Sequence, residues 1–265
     1  MMEDKSQLLI IGTGIIFAVV SYILIDYFGK KLHFKQRFFK NFWGYLLGPI
    51  IEKSLKSTKE KLYSEANGKV LEIGSGIGST FKYLNFEKIT TLVSIEPNPF
   101  MFYELEKESL KYVRVGKKGG KEGLYNDHDQ LNLNSDSKRI KIISKSIEKS
   151  INDKDIEYLT FDTVICNLVL CSIKDEREML EKIKRLLKPG GKFLFIEHIA
   201  SEKKHWKIFQ HLINPFWSLI GDNCKLTKKT DTEIKSMKGW EKVSISQFVT
   251  TLPLTFIHGI AIKEL

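Results

Sequence analysis

Three glycines at alternate positions follow a short apolar run in the stretch VLEIGSGIGST, residues 70–80. Glycines this close together after a strand let the backbone approach a ligand, because no Cβ stands in the way. In α/β sheets, turns of this kind follow parallel strands and bind nucleotide-like ligands at the carboxyl ends of those strands. The stretch therefore predicts a strand that leads into a binding turn, and it leaves the identity of the ligand open.

The chain after Gly68 alternates short apolar runs with helical stretches, which is typical of a parallel α/β sheet. The runs that predict its strands are KVLEIG, TLVSIEP, IKIISKS, FDTVICNL and KFLFIEHI. A helix, DEREMLEKIKRLL, connects the last two and ends at KPGG, where a proline and two glycines break it. Two further runs, EKVSISQFV and TFIHGIAIK, are joined too closely to be parallel, so they predict an antiparallel hairpin. The expected fold is a Rossmann-like α/β domain with a mostly parallel sheet of seven strands that ends in this hairpin.

An uncharged apolar stretch of eighteen residues, Leu8 to Ile25, precedes this domain. It is long enough for a transmembrane helix. A cleaved signal peptide is the alternative, but the preceding MMEDK is not basic and no small-residue cleavage site follows. The basic residues just after the stretch are Lys30, Lys31, Lys35, Arg37 and Lys40. We therefore expect residues 1–28 to form a retained membrane anchor, with the rest of the chain in the cytosol.

Residues 29–67 mix basic residues with aromatic ones. Phe34, Phe38 and Phe42 recur at helical spacing and would form an aromatic edge on one side of a helix. The pattern fits an interfacial helix that lies on a membrane. It fits equally a linker whose aromatic residues cover the catalytic domain.

Residues 116–138 differ from the rest of the domain, because Gly, Lys, Asn and Asp dominate them. They lack an apolar periodicity that would bury a surface, so we expect a disordered insertion in a catalytic domain that spans residues 68–265. His128 and Asp129 within it are expected to be ordinary loop residues rather than metal ligands.

The net charge of +10 comes from lysines spread over the whole chain. Without an arginine-rich stripe or a nucleic-acid-binding module, this charge predicts a solvated basic surface and no nucleic-acid partner. Cys166, Cys171 and Cys224 contain no CxxC pair, which argues against disulfides and against a cysteine-rich zinc site. We therefore expect a reducing compartment and no metal.

An acidic residue that follows the second predicted strand narrows the choice of ligand. The dinucleotide fingerprint GxGxxG needs its last glycine where this chain has Ser79, so a pyrophosphate is not favoured. Glu96 stands 20 residues after Gly76, where an acid accepts hydrogen bonds from ribose hydroxyls. Folds that bind NAD share this acid, so it indicates a nucleoside ligand without naming it.

The pattern acid-x-Gly-x-Gly-x-Gly, with Glu72 as the acid, resembles motif I of the class I S-adenosylmethionine-dependent methyltransferases. The resemblance implies that S-adenosylmethionine is the cofactor and that the turn lies against its amino-acid tail and ribose. It also implies that Glu72 anchors the ammonium end indirectly, that the adenine lies after the third strand, and that Asn167 faces the sulfonium. The cofactor residues predicted in this way are Glu72, Gly74, Ser75, Gly76, Gly78, Glu96, Pro97, Ile147, Glu148 and Asn167.

Two longer stretches resemble the methyltransferase-like family seven, a group of membrane-anchored thiol S-methyltransferases. They are CNLVLCSIKDERE and FIEHIASEKKHWKIFQHLINPFWSLIGDNCKLT. The residues of the second that match the family pattern in order are Glu197, His198, Trp206, Pro215, Trp217, Asp222, Cys224, Leu226 and Thr227. The chain departs from the pattern in its insertion, in Ser75 where cysteine is common, and in Asn223 where glycine is expected. The resemblance implies an enzyme that methylates small lipophilic thiols on an internal membrane, the endoplasmic reticulum or lipid droplets, and we expect it to be a monomer.

Methyl transfer to a thiol requires a thiolate, so a group that accepts the thiol proton is expected near the methyl donor. His198 and Asp222 are the predicted catalytic bases. The apolar residues of 205–220 recur at helical spacing, which fits either a lid over the acceptor or core packing. Cys224 is either a reactive thiol or a small buried residue.

Two other functions remain compatible with the sequence. A membrane anchor suits a methyltransferase for a lipid or quinone-like hydroxyl equally well. A membrane or lipid-droplet scaffold with a vestigial cofactor site is the third possibility, although the intact glycine turn and Glu96 argue against it.

Overall fold

The structure is a computed structural model that describes residues 34–113, 139–249 and 254–265, together with the single positions 21 and 24. Most of the apolar run from Leu8 to Ile25 and all of the insertion at 116–138 lie outside the described residues. Within the described part, no helix combines the length and the apolar character needed to cross a bilayer. The anchor and the insertion therefore stay predictions.

Seven strands form one mixed sheet in the order β3-β2-β1-β4-β5-β7-β6. Their bounds are β1 Gly68–Ile73, β2 Ile89–Ile95, β3 Ile140–Ile143, β4 Phe161–Asn167, β5 Leu187–Ile199, β6 Trp240–Val249 and β7 Thr255–Lys263. Strands β1 to β5 pair in parallel, whereas β7 runs antiparallel to both β5 and β6. The predicted seven-stranded sheet with a C-terminal antiparallel pair is confirmed.

Helices cover the sheet between the strands. Their bounds are α1 Phe34–Asn41, α2 Gly48–Tyr63, α3 Pro99–Val113, α4 Ile147–Asn152, α5 Glu176–Leu186, α6 Lys204–Ile220 and α7 Thr230–Ser236. A π-helical turn, Phe42–Leu47, joins α1 to α2. Helix α5 begins where the side chain of Asp175 accepts a hydrogen bond from the backbone N–H of Glu178, an N-cap that satisfies one free donor of the first turn.

The KPGG segment after α5 differs from the predicted turn. Strand β5 already begins at Leu187, which pairs with Phe161, and the register shifts before Lys192 pairs with Thr163. Gly190 adopts a φ of +72° within this irregularity, a conformation that a glycine reaches without strain. The segment is therefore the bulged start of β5 and not a connection outside the sheet.

Both faces of the parallel part of the sheet, β1 to β5, are largely buried, as is usual for parallel strands. On one face, Leu71 of β1 and Val164 of β4 pack with the apolar side of α5. On the other, Val70 and Ile165 pack with residues of α2 that include Leu55 and Leu62. Helix α2 comes from the segment predicted as a linker, so the catalytic core extends N-terminal to residue 68.

Candidate active site

The glycine turn follows β1 at the carboxyl edge of the sheet, between the ends of β2 and β4. Gly74, Gly76 and Gly78 have φ values of +67°, +58° and +82°, in the left-handed region that favours glycine. A Cβ on Gly74 would lie 2.6 Å from Cγ2 of Val169, closer than two non-bonded carbon atoms approach each other. Gly76 lines a cavity, and a Cβ there would meet Met101 Sδ at 3.9 Å. The turn thus presents bare backbone to an open space.

Glu96 directly follows β2 and faces the glycine turn. Its Oε2 accepts a hydrogen bond from the backbone N–H of Gly76, and its Oε1 accepts one from Asn98, both at 2.7 Å. Burial raises the pKa of this carboxyl to about 7, although both backbone donors oppose the rise. Glu96 also lines the cavity, and each oxygen keeps a second lone pair for a hydroxyl donor.

The structure brings part of the predicted cofactor residues together around this cavity. Those that line it are Gly74, Gly76, Glu96, Pro97 and Asn167. Asn167 ends β4, and its Oδ1 accepts a hydrogen bond from the hydroxyl of Tyr63 at 3.2 Å. The remaining predicted residues, Glu72, Ser75, Gly78, Ile147 and Glu148, are not part of the described cavity wall.

Glu72 lies behind the glycine turn with 1% of its surface exposed. Burial raises the pKa of its carboxyl to about 7, while hydrogen bonds from Thr80 and Ser75 oppose this rise. Its Oε2 has no hydrogen-bond partner among the described residues. A side chain in this place can act on a ligand through the turn, which is what an indirect anchor requires.

Ile147 and Glu148 begin α4 and are not among the residues that line the cavity. Ile147 is buried in the core beside α5. The side chain of Glu148 is 47% exposed and pairs with Lys182 at 3.9 Å. The adenine contacts predicted for these two residues therefore have no support in their placement.

The cavity continues from the glycine turn into an apolar chamber. The apolar residues that line the chamber are Phe39, Trp43, Ile51, Leu168, Val169, Ile173, Trp217, Leu226, Leu254 and Phe256. Phe39 of α1 and Trp43 of the π-helical turn stack with ring centroids 5.9 Å apart, and Phe42 meets Trp217 of α6 edge to face at 6.3 Å. These aromatic residues of the segment 29–67 thus lie over the site; of the three whose helical spacing was considered, Phe42 takes part through its contact with Trp217.

His198, one of the two predicted bases, lies at the end of β5 in the chamber wall. Its Nε2 is 2.7 Å from Sγ of Cys224, and the indole N–H of Trp217 donates to the same sulfur at 3.1 Å. Contact with Cys171 and His198 lowers the pKa of the Cys224 thiol well below its usual range. Burial opposes protonation of His198, but the Cys224 sulfur outweighs it and raises the pKa of the imidazole.

Asp222, the other predicted base, lines the chamber from the loop after α6. Burial raises the pKa of its carboxyl, and the nearby Lys35 opposes the rise. Asp222 and Asn223 have φ values of +50° and +66°. Asn tolerates this left-handed conformation better than most residues, which explains how it stands where the resemblance expects glycine. Its Oδ1 accepts a hydrogen bond from Nζ of Lys35 at 2.7 Å.

Comparison with known proteins identifies the family. A family model described as "Methyltransferase domain" matches residues 47–232. The chain belongs to this methyltransferase family. The match begins before α2, in agreement with the packing of that helix into the core.

Curated relatives of this methyltransferase carry the names that the sequence patterns predicted. It is 30% identical over 232 residues to thiol S-methyltransferase TMT1A of Homo sapiens, covering 81% of this chain and 82% of that protein. It is 28% identical over 209 residues to thiol S-methyltransferase TMT1B of Homo sapiens, covering 74% and 75%. A sterol 4-C-methyltransferase of Caenorhabditis elegans is 28% identical over 207 residues, 74% of this chain and 52% of that protein. The predicted resemblance to thiol S-methyltransferases is confirmed.

Solved structures confirm the class I methyltransferase fold. A phosphoethanolamine N-methyltransferase of Haemonchus contortus, solved with S-adenosylhomocysteine, aligns with a TM-score of 0.54 at 14% identity, over 80% of this chain and 53% of that one. An O-methyltransferase family protein of Burkholderia thailandensis aligns with a TM-score of 0.55 at 12% identity, over 81% and 56%. The cofactor of this methyltransferase is S-adenosylmethionine, as predicted.

The cavity fits this cofactor at its polar end. The open backbone at Gly76 would lie against the amino-acid tail and ribose, and Glu96 would accept hydrogen bonds from the ribose hydroxyls. When bound, S-adenosylmethionine supplies an electrophilic methyl group on a sulfonium. Asn167, between the glycine turn and the apolar chamber, stands where the two substrates would meet.

The structure gives a positioning role to Glu197, which the sequence analysis named only as a match to the family pattern. Glu197 of β5 is fully buried, and its Oε1 accepts hydrogen bonds from the backbone N–H groups of Val169 and Leu170, each at 2.9 Å. Its Oε2 accepts a third from Cys171 at 3.3 Å. Glu197 thereby holds the turn after β4 against the chamber. Its acidic character inside the apolar run KFLFIEHI was the signal available in the sequence.

Proposed function

We propose that this methyltransferase transfers the methyl group of S-adenosylmethionine to the sulfur of small lipophilic thiols, and that it acts as a monomer. The observation that carries the proposal is that one continuous cavity has two chemically different ends. One end holds the glycine turn and Glu96, and the other is an apolar chamber with His198 and Asp222 in its wall. The names of the human relatives support a thiol as the acceptor.

The protein contributes positioning and a proton acceptor to this reaction. An apolar chamber suits an alkyl thiol, because it removes the alkyl group from water and holds the sulfur beside the methyl donor. The thiolate is the nucleophile, so the thiol must give up its proton. Asp222 and His198 are the proposed acceptors of that proton. The raised pKa of Asp222 makes it a stronger base than an ordinary aspartate.

A methylation assay with matched acceptors tests the proposal. An alkyl thiol, the alcohol of the same chain length and a quinol are each offered with S-adenosylmethionine, and we expect turnover of the thiol alone. Equal or faster turnover of the alcohol or the quinol would assign the enzyme to hydroxyl methylation instead. Titration calorimetry with S-adenosylmethionine distinguishes an active methyltransferase from a scaffold with a vestigial cofactor site. Absence of binding at millimolar cofactor would contradict methylation of a thiol and of a hydroxyl alike.

We propose further that the enzyme works at the cytosolic face of an internal membrane, the endoplasmic reticulum or a lipid droplet. The apolar run at 8–25 supports this proposal, and so does the exposed side of α6. Large apolar side chains of α6 that face solvent are Ile208, Phe209, Leu212 and Phe216. Lys203, Lys204 and Lys207 adjoin them and would suit anionic lipid headgroups. Flotation of the full chain with liposomes tests the attachment, and protease protection in microsomes tests the orientation.

A further inference from the structure

Two cysteines and one histidine converge in the wall of the apolar chamber. Cys171 comes from the turn after β4, His198 from the end of β5, and Cys224 from the loop after α6. Their two sulfur atoms and one ring nitrogen all lie within 4.8 Å of one another, and all three residues are buried. Three distant parts of the chain thus bring soft donor atoms to one point, which neither the glycine turn nor Glu96 requires.

This donor set is one that proteins use for zinc. Thiolate sulfur and imidazole nitrogen are the ligands that Zn²⁺ prefers, and two cysteines with one histidine leave the fourth tetrahedral position for water or a substrate. Here the cluster borders the chamber, so the fourth position would open toward the acceptor. We propose that Cys171, His198 and Cys224 bind a Zn²⁺ ion whose fourth ligand is the acceptor sulfur. The ion itself is inferred from the cluster alone, whereas the role of its fourth ligand rests on the proposed thiol methylation.

The present arrangement would have to open slightly to admit the ion. His198 Nε2 lies 2.7 Å from Cys224 Sγ, the distance of a direct hydrogen bond. Ligand atoms on a tetrahedral zinc, at ordinary Zn–N and Zn–S lengths, are about 3.6 Å apart. Nδ1 of His198 has no partner among the described residues, so the imidazole is not fixed on its far side. A separation of under about 1 Å therefore suffices, and the Trp217 N–H would remain to stabilise the Cys224 thiolate.

Zinc would explain how a thiol ionises inside an apolar chamber. Cys171 and Cys224 each release a proton when the ion binds, and their two negative charges balance its charge. As a zinc ligand His198 would no longer be the proton acceptor, so the acceptor thiol loses its proton to Asp222 or to water as its sulfur takes the fourth position. Its electron pair then forms the S–CH₃ bond, while the pair of the broken C–S bond returns to the sulfonium sulfur. The thioether product is neutral and a weaker ligand, so it leaves the ion.

The metal content of the full-length, tag-free chain tests the site. After purification without chelators and incubation with Zn²⁺, mass spectrometry should find about one equivalent of zinc. Cys171→Ser, Cys224→Ser and His198→Gln should each lower this to below about 0.2 equivalents after dialysis. Cys166→Ser is the matched control, because Cys166 is a free buried cysteine that the cluster does not include. Circular dichroism shows which variants fold, and the zinc content of the unaltered chain is decisive even if none does.

Less than about 0.2 equivalents of zinc in the unaltered chain, or an equal loss in Cys166→Ser, would overturn the site.

Substitution of Co²⁺ for Zn²⁺ tests the proposed catalytic role of the ion separately from its presence. The Co²⁺-substituted enzyme should show sulfur-to-cobalt charge-transfer bands that shift when an alkyl thiol is added, and an unchanged spectrum would remove the acceptor from the fourth position. If chelator-stripped enzyme methylates thiols at full rate, the proposed role of zinc in binding the acceptor fails and the proposed function stands. If the chain binds zinc but methylates no thiol, the proposed function fails and the metal site stands.

Discussion

At the scale of single residues, the site depends on carboxyl groups held by backbone N–H groups. Glu96 joins the turn after β1 to the end of β2, and Glu197 holds the turn after β4. Both are buried, and burial raises the pKa of each to about 7. Such groups shape the backbone of the site, so their substitution affects ligand binding and local structure in ways that can be separated.

Glu96→Gln should weaken binding of S-adenosylmethionine by about 10- to 100-fold, the value of a charge-assisted hydrogen bond. The amide keeps the size of the side chain and an oxygen that accepts a backbone N–H, but it loses the charge that would attract the ribose hydroxyls. Titration calorimetry measures the change. Glu106→Gln, on the exposed side of α3, is the matched control. An unchanged affinity in Glu96→Gln would contradict the ribose role.

Asp222→Asn should lower turnover of an alkyl thiol about 100-fold, the lower range for a positioned general base. The affinity for S-adenosylmethionine should stay nearly the same. Because the thiol must then ionise without this base, the rate of the variant should rise with pH toward the thiol pKa of about 8.5. Steady-state kinetics across pH 6 to 9 measure both effects, with Glu241→Gln as an exposed control. A variant with the full rate and the original pH profile would remove Asp222 from the proton transfer.

At the scale of elements, two segments outside the sheet shape the acceptor chamber. The turn after β4 brings Val169 and Cys171 to the wall, and α6 with its following loop brings Trp217, Asp222 and Cys224. The turn is held by Glu197 from inside, whereas α6 presents apolar residues both to the chamber and to solvent. We therefore expect substitutions in the turn after β4 to change the stability of the fold, and substitutions on α6 to change how the acceptor reaches the chamber.

Glu197→Gln should lower the free energy of unfolding by about 2 to 3 kcal/mol, because an amide cannot accept three backbone N–H groups and one buried donor is left unpaired. Urea denaturation followed by circular dichroism measures the loss. Glu202→Gln, an exposed position shortly after β5, serves as the comparison. Equal stability of the two variants would show that the three hydrogen bonds do not hold the turn.

The double substitution Leu212→Gln and Phe216→Gln should selectively slow methylation of a thiol dissolved in liposomes. Each side chain contributes about 1.5 to 3 kcal/mol when it leaves water, so removing both should lower that rate at least 10-fold. The rate with a short water-soluble thiol should not change, because both side chains face outward. Leu159→Gln is the control, since Leu159 is equally exposed but precedes β4 at the opposite edge of the sheet. Parallel losses with both thiols would contradict a membrane-facing role.

At the scale of the whole molecule, the sheet order explains why distant residues meet. Strands β2, β1, β4 and β5 are neighbours, so Glu96, Gly74, Asn167 and His198 stand side by side at one edge. The antiparallel β7 adds Phe256 opposite His198. The same compact packing buries several carboxyl groups, which links the stability of the entire fold to pH.

The unfolding free energy of the cofactor-free protein should fall as the pH rises from 5 to 8. Glu72, Glu96 and Glu197 have pKa values of about 7 in the folded chain, above the value of about 4.3 for an unfolded glutamate. The folded chain therefore holds extra protons in this window, and that stabilisation is lost as the pH rises through 7. Urea midpoints across the range measure it. Glu72→Gln should flatten the profile and Glu106→Gln should not, whereas a profile that rises toward pH 8 would contradict the account.

Individual residues show how much of the site could be predicted from the sequence. Gly74 to Gly78 and Glu96 were predictable, because a turn and an acid after consecutive strands meet in any parallel sheet with neighbouring β1 and β2. Ile147 and Glu148 were placed by the resemblance alone, and neither is among the residues that line the cavity. The sulfur and imidazole cluster was not predicted, since Cys171, His198 and Cys224 are separated by about 27 residues each and no spacing rule joins them.

The sequence alone determined the alternation of strands and helices, the glycine turn and the family, because these depend on periodicity and on local backbone chemistry. It also held the motifs that predicted a thiol acceptor. Only the tertiary structure decided which polar side chains share the cavity, that α2 belongs to the core, and that Cys224 lies against His198. These depend on the direction in which each side chain leaves its element and on how loops from distant strands pack. Chain spacing does not specify those quantities, whereas close packing of the buried interior does.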